Sequence, residues 1–381
     1  MASVAVRMTL LLIMLAVLFI APEDVNSVEQ SAFEVKRMPN NPIVRPGMDA
    51  RMNEEARHYG YVNINGPSLI RVPSWVKNPL GKYYLYFAHH KGEYIRLAYA
   101  DKLEGPWKIY GPGSLQLADS YFPTETAGPG SAMTALRSVW KRYPPSIAWA
   151  MTRVGLAARK ARTERKSKGI HGSEETRPHI ASPDVLVDER NHEIRMYYHG
   201  MLEDSNQMSR VAISGDGINF KARPDLLTTP YLRMFEYRDM FYGLSMPGLF
   251  CRSKDGLTGF EIRLGLLFGV NMRHTALLLR GSTLNIFWSR VGDSPERILC
   301  STVDLSPKDW KKWKASDTFD IMRPKMKWEG ADLPVEPSQR GEYPGRVHQL
   351  RDPAIFEENG RIYLLYSCAG EQAIAIAELI K

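Results

Sequence analysis

The stretch HQLRDPAIFEENGRIYLLYSCAGE, residues 348–371, decides the fold. An Asp-Pro pair heads a short apolar run. A polar Glu-Glu-Asn-Gly turn follows, then a tyrosine-rich apolar run. Short runs rich in branched and aromatic residues, split by a turn, suit paired buried strands. The same order recurs in NGPSLIRVPSWVKNPLGKYYLYFAHHKGEYIRLAYADKLEGPW from Asn65 and in ASPDVLVDERNHEIRMYYHGMLEDSNQMSRVAISGDGINF from Ala181. It recurs again in TPYLRMFEYRDMFYGLSMPGLFCRSKDGLTGF from Thr229 and in RHTALLLRGSTLNIFWSRVGDSPERILCSTVDLSPKDW from Arg273.

The first runs then head at Gly66, Ser182, Thr229, His274 and Asp352. Spacings of 47 and 45 separate Ser182, Thr229 and His274. A four-stranded propeller blade repeats at about 45 residues. The two longer spacings imply inserts near residues 111–178 and 308–346. In the third runs, Ala98, Ala212, Cys251, Cys300 and Ala375 form one column. Two cysteines therefore stand where alanine stands elsewhere, as small buried apolar residues do. Trp107, Phe220, Phe260 and Trp310 follow the third runs and are expected to open outer fourth strands. The expectation is an all-β fold: a five-bladed β-propeller over residues 63–381, after an N-terminal segment 28–62, with a basic helical insert between blades 1 and 2.

Composition fits an ordinary soluble globular chain. Of 381 residues, 44% are hydrophobic and 24% charged, as in ordinary folded domains. Residues 131–169 hold ten Lys or Arg and one Glu, so the net charge of +8 belongs to that insert. Within it, residues 145–168 can form an amphipathic helix, read as a lid or a helix packed on a blade edge. Its basic side can touch an anionic surface. Residues 1–27, with Arg7 ahead of an apolar run from Leu10 to Ala21, read as a signal peptide, the alternative being an uncleaved anchor. The protein is then secreted or periplasmic, with no nucleic-acid partner. Three cysteines do not make a disulfide scaffold. Phosphate-loop, paired-cysteine and zinc-helix motifs are absent from the sequence. No metal site or required cofactor is expected, calcium being the one ion allowed for.

The Asp-Pro-Ala-Ile-Phe start, the GRIYLLYS second run and the YIRLAYADKLEGPW third run resemble the five-bladed glycosidase superfamily, the clan around glycoside hydrolase family 43. The resemblance covers roughly residues 63–379, less the two inserts. It implies that the first strand of each blade lines a central tunnel and that the loops between second and third strands form the pocket rim. It also implies an aspartate base, a glutamate acid and a helper aspartate from three blade starts. Asp352 matches the base. NGP resembles the Glu-Gly-Pro around the acid, but Asn65 replaces the glutamate, and an amide is no general acid. Ser182 stands where the helper would be, with Asp184 two residues on.

The expected catalytic set is therefore Asp352 as base, with His274, His90 or His199 as acid, as in some relatives acting on algal sugars. Asp184 would tune the site or bind a metal. Asn65, Lys91, Glu93, His179, Arg273, Arg290 and Arg351 are expected to bind substrate, the cations suiting a uronate or sulfated glycan. Glu236 is read as structural. Trp328, Glu329 and Asp332 are placed within reach of the pocket. Trp75 and Tyr121 are loop aromatics that could stack on a sugar, though core packing is the stronger reading. The partner is an oligo- or polysaccharide. The alternative is a propeller that binds carbohydrate without cleaving it, and a lyase or transferase is a third reading.

Overall fold

Twenty strands make five four-stranded antiparallel sheets in a computed structural model, which describes residues 33–125, 145, 148, 149, 152, 177–203 and 206–381. Strand β1 (Glu34–Arg37) stands apart from its sheet in sequence. Blade 1 holds β2 (Asn65–Arg71), β3 (Tyr83–Ala88), β4 (Tyr94–Ala100) and β5 (Lys108–Gln116). Blade 2 holds β6 (Ile180–Asp188), β7 (Glu193–Met201), β8 (Gln207–Ser214) and β9 (Lys221–Ala222). Blade 3 holds β10 (Arg233–Tyr237), β11 (Met240–Ser245), β12 (Leu249–Ser253) and β13 (Glu261–Ile262). Blade 4 holds β14 (Met272–Arg280), β15 (Thr283–Arg290), β16 (Ile298–Asp304) and β17 (Phe319–Met322). Blade 5 holds β18 (Leu350–Glu358), β19 (Arg361–Cys368) and β20 (Ala373–Ile380), with β1 as its outer strand.

The ring closes through the N-terminal segment. Glu34 to Arg37 pair with Ile380 to Ala377. The sequence pattern started the propeller at residue 63, because a lone four-residue strand carries no repeat signal. Arg37 locks this strand to the second insert through Glu329, with Nε–Oε1 2.7 Å and Nη2–Oε2 2.8 Å. Glu329 is fully buried and also accepts from Tyr366 Oη and from the amides of Lys325 and Met326. It is thus an anchor rather than a pocket residue. Asp332 pairs with Arg346, and Trp328 packs between blades 4 and 5.

Five apolar clusters fill the spaces between neighbouring blades. The Ala/Cys column lies in them. Ala98, Ala212, Cys251, Cys300 and Ala375 each face a middle strand and are fully buried. All three cysteines are free. Fourth strands follow Trp107, Phe220 and Phe260 as expected, but not Trp310. That residue opens a 3-10 turn, Trp310–Lys312, and packs with Trp313 between blades 3 and 4. The outer strand comes later, at Phe319–Met322.

Strand β5 takes the first residues assigned to the first insert. Of the expected 145–168 helix, Pro145, Ala148, Trp149 and Thr152 are helical, and Ala148 is buried between blades 1 and 2. The rest of that helix and the 1–27 leader lie outside the described residues. Among the described residues, no helix is long and apolar enough to cross a membrane.

Candidate functional site

The mouth of the hub is shaped by one repeated backbone feature. The first strands carry register shifts between Asn65 and Ser68, Ala181 and Asp184, Met272 and Thr275, and Arg351 and Ala354. Within such steps Gly66, Ser182 and Asp352 take left-handed φ of 61°, 51° and 48°, and Tyr231, just ahead of the unbroken strand β10, takes φ 59°. Non-glycine residues there store strain, which concentrates at functional positions. The column places Tyr231, not Thr229, at the head of blade 3. The sequence offset arose because Thr229-Pro230 imitates the Asp-Pro start. Gly66 is required for fit, since a Cβ there would lie 3.0 Å from Ser182 Cα.

Asp352 and His274 meet at this level. Asp352 Oδ1 lies 2.5 Å from His274 Nδ1, and both side chains are buried. Asp352 Oδ2 has no hydrogen-bond partner among the described residues. Burial alone would push the Asp352 carboxyl up, but His274 outweighs it and holds the group below its ordinary range. Burial pulls His274 down, and the opposing pull of Asp352 does not restore it. Near neutral pH the pair is thus a carboxylate beside an imidazole.

Behind it lies a buried quartet of alternating charge. Arg351 Nε is 3.1 Å from Glu296 Oε2, and its Nη1 is 3.0 Å from Glu371 Oε1. Arg273 Nη1 is 3.3 Å from Glu296 Oε2, and its Nη2 is 3.8 Å from Glu371 Oε1. The arginines also donate to the carbonyls of Gln339 and Gly341. The second insert therefore reaches the hub, through residues other than those expected. Glu371 accepts from Asn63 at 2.6 Å and from Asn65 at 3.2 Å, with His90 Nδ1 at 3.4 Å. Against burial, His90 and then Arg351 and Arg273 hold its carboxyl well below the usual range. The short helix α1 (Ala50–Tyr59), capped by Asp49, brings Tyr59, Tyr61 and Asn63 to this side.

Further histidines continue from His274. Tyr231 contacts both His199 and His274, with ring centroids 4.5 and 4.4 Å apart. His179 meets His199 edge-on at 5.8 Å. The Arg177 carbonyl, 2.7 Å from His179 Nδ1, can only accept, so Nδ1 carries the proton and Nε2 faces Gln207 Nε2 at 3.2 Å. Both nitrogens are then used, and His179 is a fixed neutral ring. Burial, aided by neighbouring cations, pulls His89, His179 and His199 well below the ordinary imidazole range.

Asp352, His274, His90, His199, His179, Asn65, Lys91, Arg273 and Arg351 thus gather, buried, around one mouth. Three expected residues do other things. Asp184 Oδ2 accepts from Met234 N at 2.9 Å, tying blade 2 to blade 3. Ser68 makes the same tie from blade 1, accepting from Val185 N at 2.8 Å. Glu93 is exposed. Arg290 turns to Asp293 in its own loop, at 2.8 Å. Among the distal turns, Glu236 pairs with Arg190 and Trp75 stacks on His192, away from the mouth. Tyr121 is 59% exposed. Glu296, Glu371 and Asn63 carry no motif, and only the loop position of the two glutamates pointed to them. Among the described residues, no group of three or more His, Cys, Asp or Glu is arranged to hold a metal.

The chain is 32% identical over 375 residues to "Uncharacterized protein R118" of Acanthamoeba polyphaga mimivirus, covering 91% of this chain and 90% of that one. The chain belongs to the same family as that viral protein. No family model matches. Among solved structures it is similar to a thermostable family-43 glycoside hydrolase, at 12% identity and TM-score 0.47 over 83% of this chain and 88% of that one. It is also similar to CoXyl43, a GH43 β-xylosidase/α-arabinofuranosidase from a compost microbial metagenome solved with xylotriose, at 12% identity and TM-score 0.48 over 84% and 91%. The likeness to both is one of fold.

Proposed function

We propose that this propeller takes an oligo- or polysaccharide into its hub and hydrolyses a glycosidic bond there. The buried Asp352–His274 contact carries the reading. Groups in direct contact cannot flank a scissile bond from opposite sides, so the two act as one base unit. In this scheme Asp352 Oδ2 takes a proton from water as the water oxygen attacks the anomeric carbon. His199, linked to the pair through Tyr231, gives its proton to the leaving oxygen.

Because burial makes His199 a weak proton holder, its donor form accumulates only in acid. Hydrolysis is thus an acidic-range activity. The same electrostatics favour the second reading, a carbohydrate-binding propeller. Near neutral pH, His179, His199 and His274 are neutral and Glu371 is ionised, so none of these groups is poised to donate a proton.

Arg273 and Arg351 are held by Glu296 and Glu371, so an acidic sugar would meet ion pairs, not a free clamp. Residues 1–27 direct export in this account, which N-terminal sequencing of the exported protein would check.

The test pairs binding with product release. A panel of neutral and uronic oligosaccharides is presented to the protein from about pH 4 to about pH 8. Release in acid that Asp352→Asn abolishes, with binding kept, supports the hydrolase. Binding without release at any pH supports the binder, and neither binding nor release rejects both.

A further inference from the structure

We propose that Tyr231 is the positioning residue that sets the acid–base arrangement of the hub, a claim that rests on the hydrolase reading above. It stands at the column of blade heads that includes Asp352, and there it adopts φ 59° although it is bulky. A left-handed tyrosine persists only where its surroundings over-determine it. The surroundings are a ring of reactive groups. Its ring lies 4.5 Å from that of His199 on β7 and 4.4 Å from that of His274 on β14. Its hydroxyl feels the charges of Asp352 and Glu371 from blade 5 and of Arg273 from blade 4, with Ser182 of blade 2 beside it, and Arg340 of the second insert lies within its field.

The phenol is therefore a neutral spacer among charges. Burial first, then Asp352 and Glu371, push its proton affinity up, so it stays protonated across the working range. One rigid ring touching both imidazoles leaves His274 on Asp352 and His199 available on the other side. The two contacts allow at most about 9 Å between the imidazole centres, below the roughly 9.5 Å upper limit for a base and an acid with water between them. Without the ring, His274 could turn from Asp352 and His199 could collapse toward it. Tyr231 acts through these two histidines, and its ring does the spacing.

The experiment reads the histidines directly. Imidazole nitrogen resonances of the full chain are followed by NMR against pH in wild type, Tyr231→Phe and Tyr231→Leu. Tyr231→Phe should leave the Asp352-bound His274 Nδ1–H signal in place. Tyr231→Leu should lose that signal and shift the His199 midpoint by about one pH unit or more. If Tyr231→Leu does not fold, Tyr231→Met, a flexible filler of similar bulk, takes its place with the same expectation. A folded Leu or Met variant with both histidines unmoved overturns the proposal, as does loss of the signal in Tyr231→Phe. Where a cleaved glycan is in hand, kcat should fall in the Leu variant and recover in the Phe variant with KM little changed. A wild type that cleaves nothing would defeat the hydrolase reading while leaving the NMR result to judge Tyr231.

Discussion

Arg351 places its guanidinium between Glu296 and Glu371, 3.1 Å from one and 3.0 Å from the other, with all three side chains fully buried. Removing one member of such a set leaves uncompensated charge in a dry site, which costs about 3–5 kcal/mol. Arg351→Met should therefore lower stability by about that much in denaturant titration. Replacing Arg351 and Glu371 together should cost less than the sum of the two single changes, because the double change removes the stranded charge. Additive costs would mean that the pair is not coupled.

Asp184 separates a structural from a catalytic role. Its acceptor oxygen serves the Met234 amide across the blade 2–3 seam. Asp184→Asn keeps an acceptor and should cost less than Asp184→Ala, which leaves the amide unmet and should lose about 1–3 kcal/mol. Activity on any cleaved glycan should follow folding rather than charge. An Asp184→Asn protein that is stable yet inactive would return Asp184 to the reacting groups.

Ring closure gives a second mechanical prediction. Arg37 on β1 is the ionic partner of buried Glu329. Arg37→Ala should destabilise the fold by about 3 kcal/mol, measured as a lowered denaturant midpoint. Hydrogen exchange should quicken first along β1 and its partner β20. Unchanged protection of β20 would show that closure does not depend on this pair.

Stability should fall in acid earlier than carboxylates alone would cause. His89, His179 and His199 have folded-state pKa values below the roughly 6.5 of an unfolded histidine. Their contribution is full above about pH 6.5 and is lost as pH falls toward the folded values, at up to about 1.4 kcal/mol per pH unit for each. Glu371 and Asp352, also depressed, add losses only below about pH 4.5 and about pH 4 respectively. Tm should therefore decline between about pH 7 and about pH 5, and His179→Gln should shallow that slope. A flat Tm over this range would contradict neutral burial of these rings.

How legible the molecule was in sequence depended on repetition. The Ala/Cys column repeats in every blade because middle strands need a small residue there, so Cys251 and Cys300 were readable as packing. Strand β1 repeats nothing and closes the ring by long-range pairing, so no local pattern announces it. Asp352, His274, His90 and His199 were readable because reactive residue types fell at blade heads and rim loops. Glu296 and Glu371 were not, because a loop glutamate looks solvated until a distant arginine is seen against it. Asp184 misled for the converse reason. It sits beside a column position, and only the neighbouring blade's amide reveals its use.

The most direct measurement is the initial rate of sugar release by wild type, Asp352→Asn and His199→Gln on one bound oligosaccharide, at about pH 5 and about pH 7.5. The account predicts release that is faster at the lower pH and reduced about 10²- to 10⁴-fold in each variant, with binding retained. Release by Asp352→Asn at the wild-type rate would contradict it.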